Sequence, residues 1–160
     1  MSKRILIGGL GNIFLGDDAF GCEVVRELSH KHWPGDVCVT DFGIRSCDLA
    51  YALAENYEAV ILVDATPQVA PPGTVYLIEP NLARLKQFQS VPADPHSLDP
   101  IRVLQMAGRL GEGPKKLYLV GCEPGTLGAD NTFGLSAVVK AAVPKAVGMI
   151  ESIVGSLLKV

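Results

Sequence analysis

Short apolar runs alternate along this chain with stretches whose apolar residues fall at helical spacing, and that alternation constrains the fold more than any other feature. The runs RILIGG (4–9), DVCVTDF (36–42), EAVILVDA (58–65), GTVYLIEP (73–80) and KKLYLVGCEP (115–124) read as strands. Between them, DDAFGCEVVRELSHK (17–31) places Phe20, Val24, Val25 and Leu28 on one helical face. SCDLAYALAEN (46–56) reads as a helix with Ser46 as its cap. DPIRVLQMAGRLG (99–111) reads as a helix capped by Asp99, with Pro100 in its first position and Gly111 as its stop. The C-terminal region from Gly134 onward is helical, and Pro144 is expected to split it by opening the last helix. Strands that alternate with helices need right-handed crossovers. The expected fold is therefore α/β: a three-layer αβα sandwich with a twisted, mostly parallel sheet of about five strands and helices on both faces. No linker, repeat or low-complexity tract interrupts it, so residues 1–160 are expected to form a single domain.

Composition narrows the function. Lysine and arginine total 14 against 17 acidic residues, and no basic stripe collects phosphates, so nucleic acid is not an expected partner. The apolar start MSKRILIGGLGNIF lacks a small-residue cleavage site and runs straight into a glycine loop, so it reads as a first strand and not as a leader. No stretch is expected to span a bilayer, which needs roughly 20 apolar residues. The expected location is cytoplasmic, with no membrane partner. Cys22, Cys38, Cys47 and Cys122 are scattered, form no C-x-x-C pair and read as reduced core or near-core thiols.

In open sheets of this kind the site lies beyond the carboxyl ends of the strands. The residues there are Asp17-Asp18, Asp41, Asp64 and Cys122-Glu123. The glycine loop GLGNIFLGDDAFG (9–21) invites comparison with phosphate cradles. Phe14 stands where a dinucleotide fingerprint needs its third glycine. Gly11 and Gly16 have P-loop spacing, but Asp17 and Asp18 replace the lysine and the hydroxyl residue that should follow. At about 4 Å such a carboxylate repels an anion by roughly 1–4 kcal/mol. The loop suits a cation. Asp17 is assigned to capping the helix that follows, and Asp18 to the cleft. Asp64, ending its strand, converges on the same cleft, although a turn role is an equal reading. His96, in ADPHSLDP ahead of a helix, adds an imidazole, whereas His30 and His32 face different ways. Two carboxylates and one imidazole suit a divalent transition metal with open positions. Two long loops, QVAPPG (68–73) and residues 88–99, flank this region.

GLGNIFLGDDAFG, then ILVDA, then PHSLDP resemble in order the signature blocks of the hydrogenase maturation proteases, and GCEPG (121–125) and the closing helix resemble that family too. The likeness spans essentially the whole chain. It implies an endopeptidase that trims the C-terminal extension from the large-subunit precursor of a nickel-iron hydrogenase after nickel insertion. It implies that Asp18, Asp64 and His96 dock that nickel, which the substrate supplies, with no organic cofactor. A monomer is expected. Ala19 stands where the family often has glycine, and the DFGIRSCDL segment is variable, so a role for Asp41 carries over only weakly. Three other readings stay open. A non-proteolytic nucleotide- or metal-binding module of Rossmann-like architecture would show in nucleotide thermal shifts. A metallohydrolase with its own tight metal would show in metal analysis. A scaffold that binds the hydrogenase subunit without cutting it would show in product analysis.

Overall fold

The computed structural model describes residues 3–82, 100–125 and 134–159. Strand β1 (Arg4–Leu10) leads through a 3-10 turn (Asp17–Ala19) into helix α1 (Phe20–Ser29) and strand β2 (Asp36–Gly43). Helix α2 (Ser46–Ala54) then precedes β3 (Ala59–Ala65) and β4 (Val75–Ile78). Helix α3 (Pro100–Ala107), strand β5 (Lys116–Cys122) and helix α4 (Ala137–Leu158) complete the order. The sheet runs β2-β1-β3-β5-β4. All neighbours are parallel except β4, which joins the edge antiparallel to β5.

The side-chain period of two divides the central strands between two cores. Ile5 and Ile7 of β1 and Ile61 and Val63 of β3 pack with Phe20, Val24 and Leu28 of α1 and with Val139 and Ile150 of α4. Leu6, Val60 and Leu62 face the other way, onto Leu49 and Leu53 of α2 and Val103 and Leu104 of α3. Burial on both faces explains why β1 and β3 read as continuous apolar runs. The expected three-layer α/β architecture is the one observed.

Six local expectations need correction. The first residue of α2 is Ser46 itself; its N-cap is Arg45, without a side-chain cap bond. Helix α3 ends at Ala107, before Gly108, and not at Gly111. Gly111 has another role, since a side chain there would strike the Ala54 carbonyl where the chain passes α2. Helix α4 is one helix of 22 residues with Pro144 inside it. Pro144 and Lys140 both lie on its exposed side. The Lys140 carbonyl left without a helical donor therefore faces water, while the inward stripe from Val139 to Leu157 keeps the helix on the core. The same helix is long and apolar enough to cross a bilayer by length and composition, contrary to the reading of the sequence. His30 follows α1 as its C-cap and is not on the helix. Cys22 and Cys122 are buried as expected, but Cys38 and Cys47 are exposed.

Candidate functional site

The chain order reverses at β1. It moves from β1 outward to β2, then crosses back to β3 on the other side. The carboxyl ends of β1 and β3 thus border the crevice where a sheet of this kind binds its ligand. Both leading acidic candidates stand there.

Gly11 follows β1 with φ 136, and a side chain on it would collide with the carbonyl oxygen of Asp18. The loop folds back on its own acidic turn. Asn12 donates its backbone N–H to Asp18 Oδ2 at 2.9 Å, and Phe14 N–H donates to Asn12 Oδ1 at 2.9 Å. Stacked turns continue through Leu15 N–H to Asn12 O and Asp18 N–H to Leu15 O, each 3.1 Å. An N–H that a phosphate cradle would offer to a ligand is here turned inward to a carboxylate. The glycine loop is a mount for Asp18.

Asp64 is the penultimate residue of β3, and its Oδ1 accepts the Ala65 N–H at 2.9 Å. Burial, and then the charge of Asp18, hold its carboxyl well above the usual carboxylate range, against the lowering effect of that bond. The two acids therefore share one electrostatic environment, and among the described residues neither is ion-paired. Asp41, inside β2 near its carboxyl end, accepts the Gly43 N–H at 2.9 Å. The negative charges of Asp41, Asp64 and Asp18 all reach Cys22. Burial first, then a hydrogen bond with Asp41 and these charges, push the Cys22 thiol far up, and its Sγ sits 3.5 Å from the Gly11 carbonyl. Cys122 is raised to about 11 by burial and by Asp17 and Glu123. Neither thiol is a nucleophile near neutral pH. His96 and Asp99 lie outside the described residues, and among those that are described no three His, Cys, Asp or Glu side chains form a complete metal-holding group.

Asp17 does not cap its own helix; the turn it opens has no side-chain cap bond. It is 0% exposed and accepts Gly125 N–H at 2.8 Å, Ser136 N–H at 2.7 Å and Ser136 Oγ–H at 2.9 Å. It clamps the turn after β5 and the start of α4 to the base of the acidic loop. Nothing local in the sequence signals this, because the donors lie 108 and 119 residues away.

Glu123 does have a sequence signal, being an acid just past a strand end, but its task is structural. Its Oε2 accepts Gln68 N–H at 2.6 Å and the Tyr76 hydroxyl at 2.8 Å. Burial pushes its carboxyl up, but bonds from Gln68, Tyr76, Ala70 and Val69 prevail and hold it below its ordinary value. Consecutive amides wrapped round an anion form a nest. It fixes the QVAPPG loop at the rim of the crevice.

A sandwich sheet with acids mounted at its switch point defines the class, an α/β protein with an acidic crevice. Comparison with known proteins gives the particular family. The hydrogenase maturation protease model matches residues 22–153. The hydrogenase 2 maturation protease of Escherichia coli K12 is 33% identical over 151 residues, covering 89% of this chain and 85% of that protein. The coenzyme F420 hydrogenase subunit delta of Methanothermobacter thermautotrophicus is 30% identical over 160 residues, covering 95% of each. The solved hydrogenase maturating endopeptidase of Escherichia coli superposes with a TM-score of 0.80 at 31% identity, covering 96% of this chain and 93% of that one. The chain belongs to the hydrogenase maturation protease family, peptidases that act in hydrogenase maturation.

Proposed function

We propose that this protein removes the C-terminal extension from the large-subunit precursor of a nickel-iron hydrogenase once nickel is in place, and that Asp18, Asp64 and His96 receive that nickel. The observation that carries this reading is the meeting of Asp18 and Asp64, from neighbouring strands, at the crevice without a cationic partner among the described residues. Holding two repelling, half-buried carboxylates together is unfavourable, and a cation relieves it. The metal belongs to the substrate, so specificity and timing are one event: a precursor without nickel offers the cleft nothing to hold. A mostly oxygen donor set fits nickel modestly, which suits a transient contact. His96 must be neutral to bind, so docking weakens at acidic pH.

The raised thiols leave water as the nucleophile. The carboxylates orient that water against the peptide carbonyl next to the docked centre. The protein works as a cytoplasmic monomer without organic cofactor. The test is the mass of a large-subunit precursor after incubation with the protein, with and without nickel. Loss of a short C-terminal peptide from the nickel-loaded form alone is the expected result. Cleavage by Asp18→Ala or His96→Ala at the wild-type rate would refute the docking of nickel on these residues.

A further inference from the structure

Large apolar side chains collect where the site opens. Ile13, Phe14 and Leu15 follow β1, Ile44 follows β2 and Val69 follows β3, and all are exposed, Phe14 at 59%, Ile44 at 60% and Val69 at 102%. The first two turns touch, Gly11 N–H donating to the Gly43 carbonyl at 2.9 Å, while the Val69 loop stands at the same carboxyl edge of the sheet, held over the end of β5 by Glu123. A cleft of about 440 Å³ opens beside Ile13, between α1 and β2, its apolar lining of Cys22, Val25 and Val39 joined by Glu23, Arg26 and Asp41. Singly exposed apolar residues are ordinary, but a cluster round one crevice is not.

Val69 gives the cluster its meaning. Its φ of 59° makes it the only non-glycine residue with positive φ among the described residues. A β-branched side chain is strained there, and glycine or asparagine would serve a mere turn better. The Glu123 nest nonetheless holds this backbone and drives the valine fully into solvent. Strain retained at an exposed position points to a contact made with another molecule.

We propose that this apolar rim is the surface on which the hydrogenase large-subunit precursor seats, with Val69 as its protruding contact; the inference rests on the function proposed above. Charge complementarity selects the occupant. The rim borders Asp18, Asp41 and Asp64, while the nearby Arg45 is paired with Asp48 and Arg26 stands in the cleft with Glu23 and Asp41, so the acids prevail and the rim fits a protein surface that presents a cation within apolar surroundings better than a polyanion. Apolar contacts remote from the reacting bond contribute uniform binding, so their loss acts on KM.

The experiment compares steady-state cleavage and direct binding of the nickel-loaded precursor by wild type, Val69→Gly, Ile44→Ser and Tyr51→Ser, the last an exposed residue of α2 away from the rim. Val69→Gly is expected to raise the melting temperature by relieving strain, yet raise KM about tenfold with kcat within about twofold. Ile44→Ser should raise KM in the same direction, and Tyr51→Ser should leave it unchanged. Wild-type KM in both rim variants would overturn the docking surface while leaving the protease reading intact. Binding without cleavage by the wild type, weakened in the rim variants, would keep the surface and refute the protease reading. A wild type that neither binds nor cuts refutes both.

Discussion

Replacing Asp17 separates two accounts of an acid at a helix start. If Asp17 served as a local cap, Ser or Asn would replace it for a few tenths of a kcal/mol, since these residues cap about equally well. The clamp described above predicts otherwise. Asp17 is fully buried and satisfies the backbone N–H groups of Gly125 and Ser136 together with the Ser136 hydroxyl. Asp17→Ala removes the buried charged acceptor of both amides; such bonds contribute about 1.5–3 kcal/mol each, toward the lower figure at Gly125, which water can reach, and the Ser136 hydroxyl can turn to another partner. The expected loss is about 3–5 kcal/mol, a large share of the roughly 5–15 kcal/mol available to a domain. Asp17→Ser, too short to reach both amides, should lose nearly as much. The assay is urea denaturation followed by circular dichroism, reading a fall in midpoint at constant slope. A double-mutant cycle with Ser136→Ala should show coupling of about 1 kcal/mol between the two side chains. If Asp17→Ser stays within about 0.5 kcal/mol of wild type, the clamp is wrong and the cap is right.

Asp64→Asn should abolish processing yet stabilise the fold by about 1 kcal/mol at neutral pH. Because burial and Asp18 raise its carboxyl in the native state, the native form binds the extra proton, so wild-type stability falls as pH rises from the ordinary carboxyl range toward the raised value. Denaturation midpoints at acidic and neutral pH should show that fall reduced in the variant, and an equal fall in both would refute the assignment. Gly11→Ala places a methyl group against the Asp18 carbonyl at φ 136 and should cost about 3 kcal/mol or more, read from the same melts. Alkylation of the native protein near neutral pH should label the exposed Cys38 and Cys47 and spare Cys22 and Cys122, as intact mass will show; rapid labelling of Cys22 would contradict its raised, buried thiol.

The layers were legible because each central strand carries apolar residues for both faces and each helix for one. The run AVILVDA specifies a buried strand before any partner is known, and the acid one residue from its end marks the crevice. Pro144 misled because proline's local cost is read without knowing which way its ring faces; on the solvent side the orphaned carbonyl has water. The division of labour between Asp17 and Asp18 was half legible. Adjacency says they point apart, but only the folded chain supplies the amides of Gly125 and Ser136. Val69 was illegible for the opposite reason, since its local preference argues against the conformation that Glu123 imposes by holding Gln68, 55 residues distant from it in sequence.

The clamp at Asp17 also sets when the protein can begin to work. The acidic turn is made early in translation, but two of the donors that fasten it belong to Ser136 at the threshold of α4, 119 residues later. A nascent chain still lacking that helix has its acids but not their mounting. Such late closure is slow to find by diffusion and gains nothing until the last element arrives. The geometry of the acidic turn is thereby tied to the arrival of α4, and a half-made chain on the ribosome has no finished crevice.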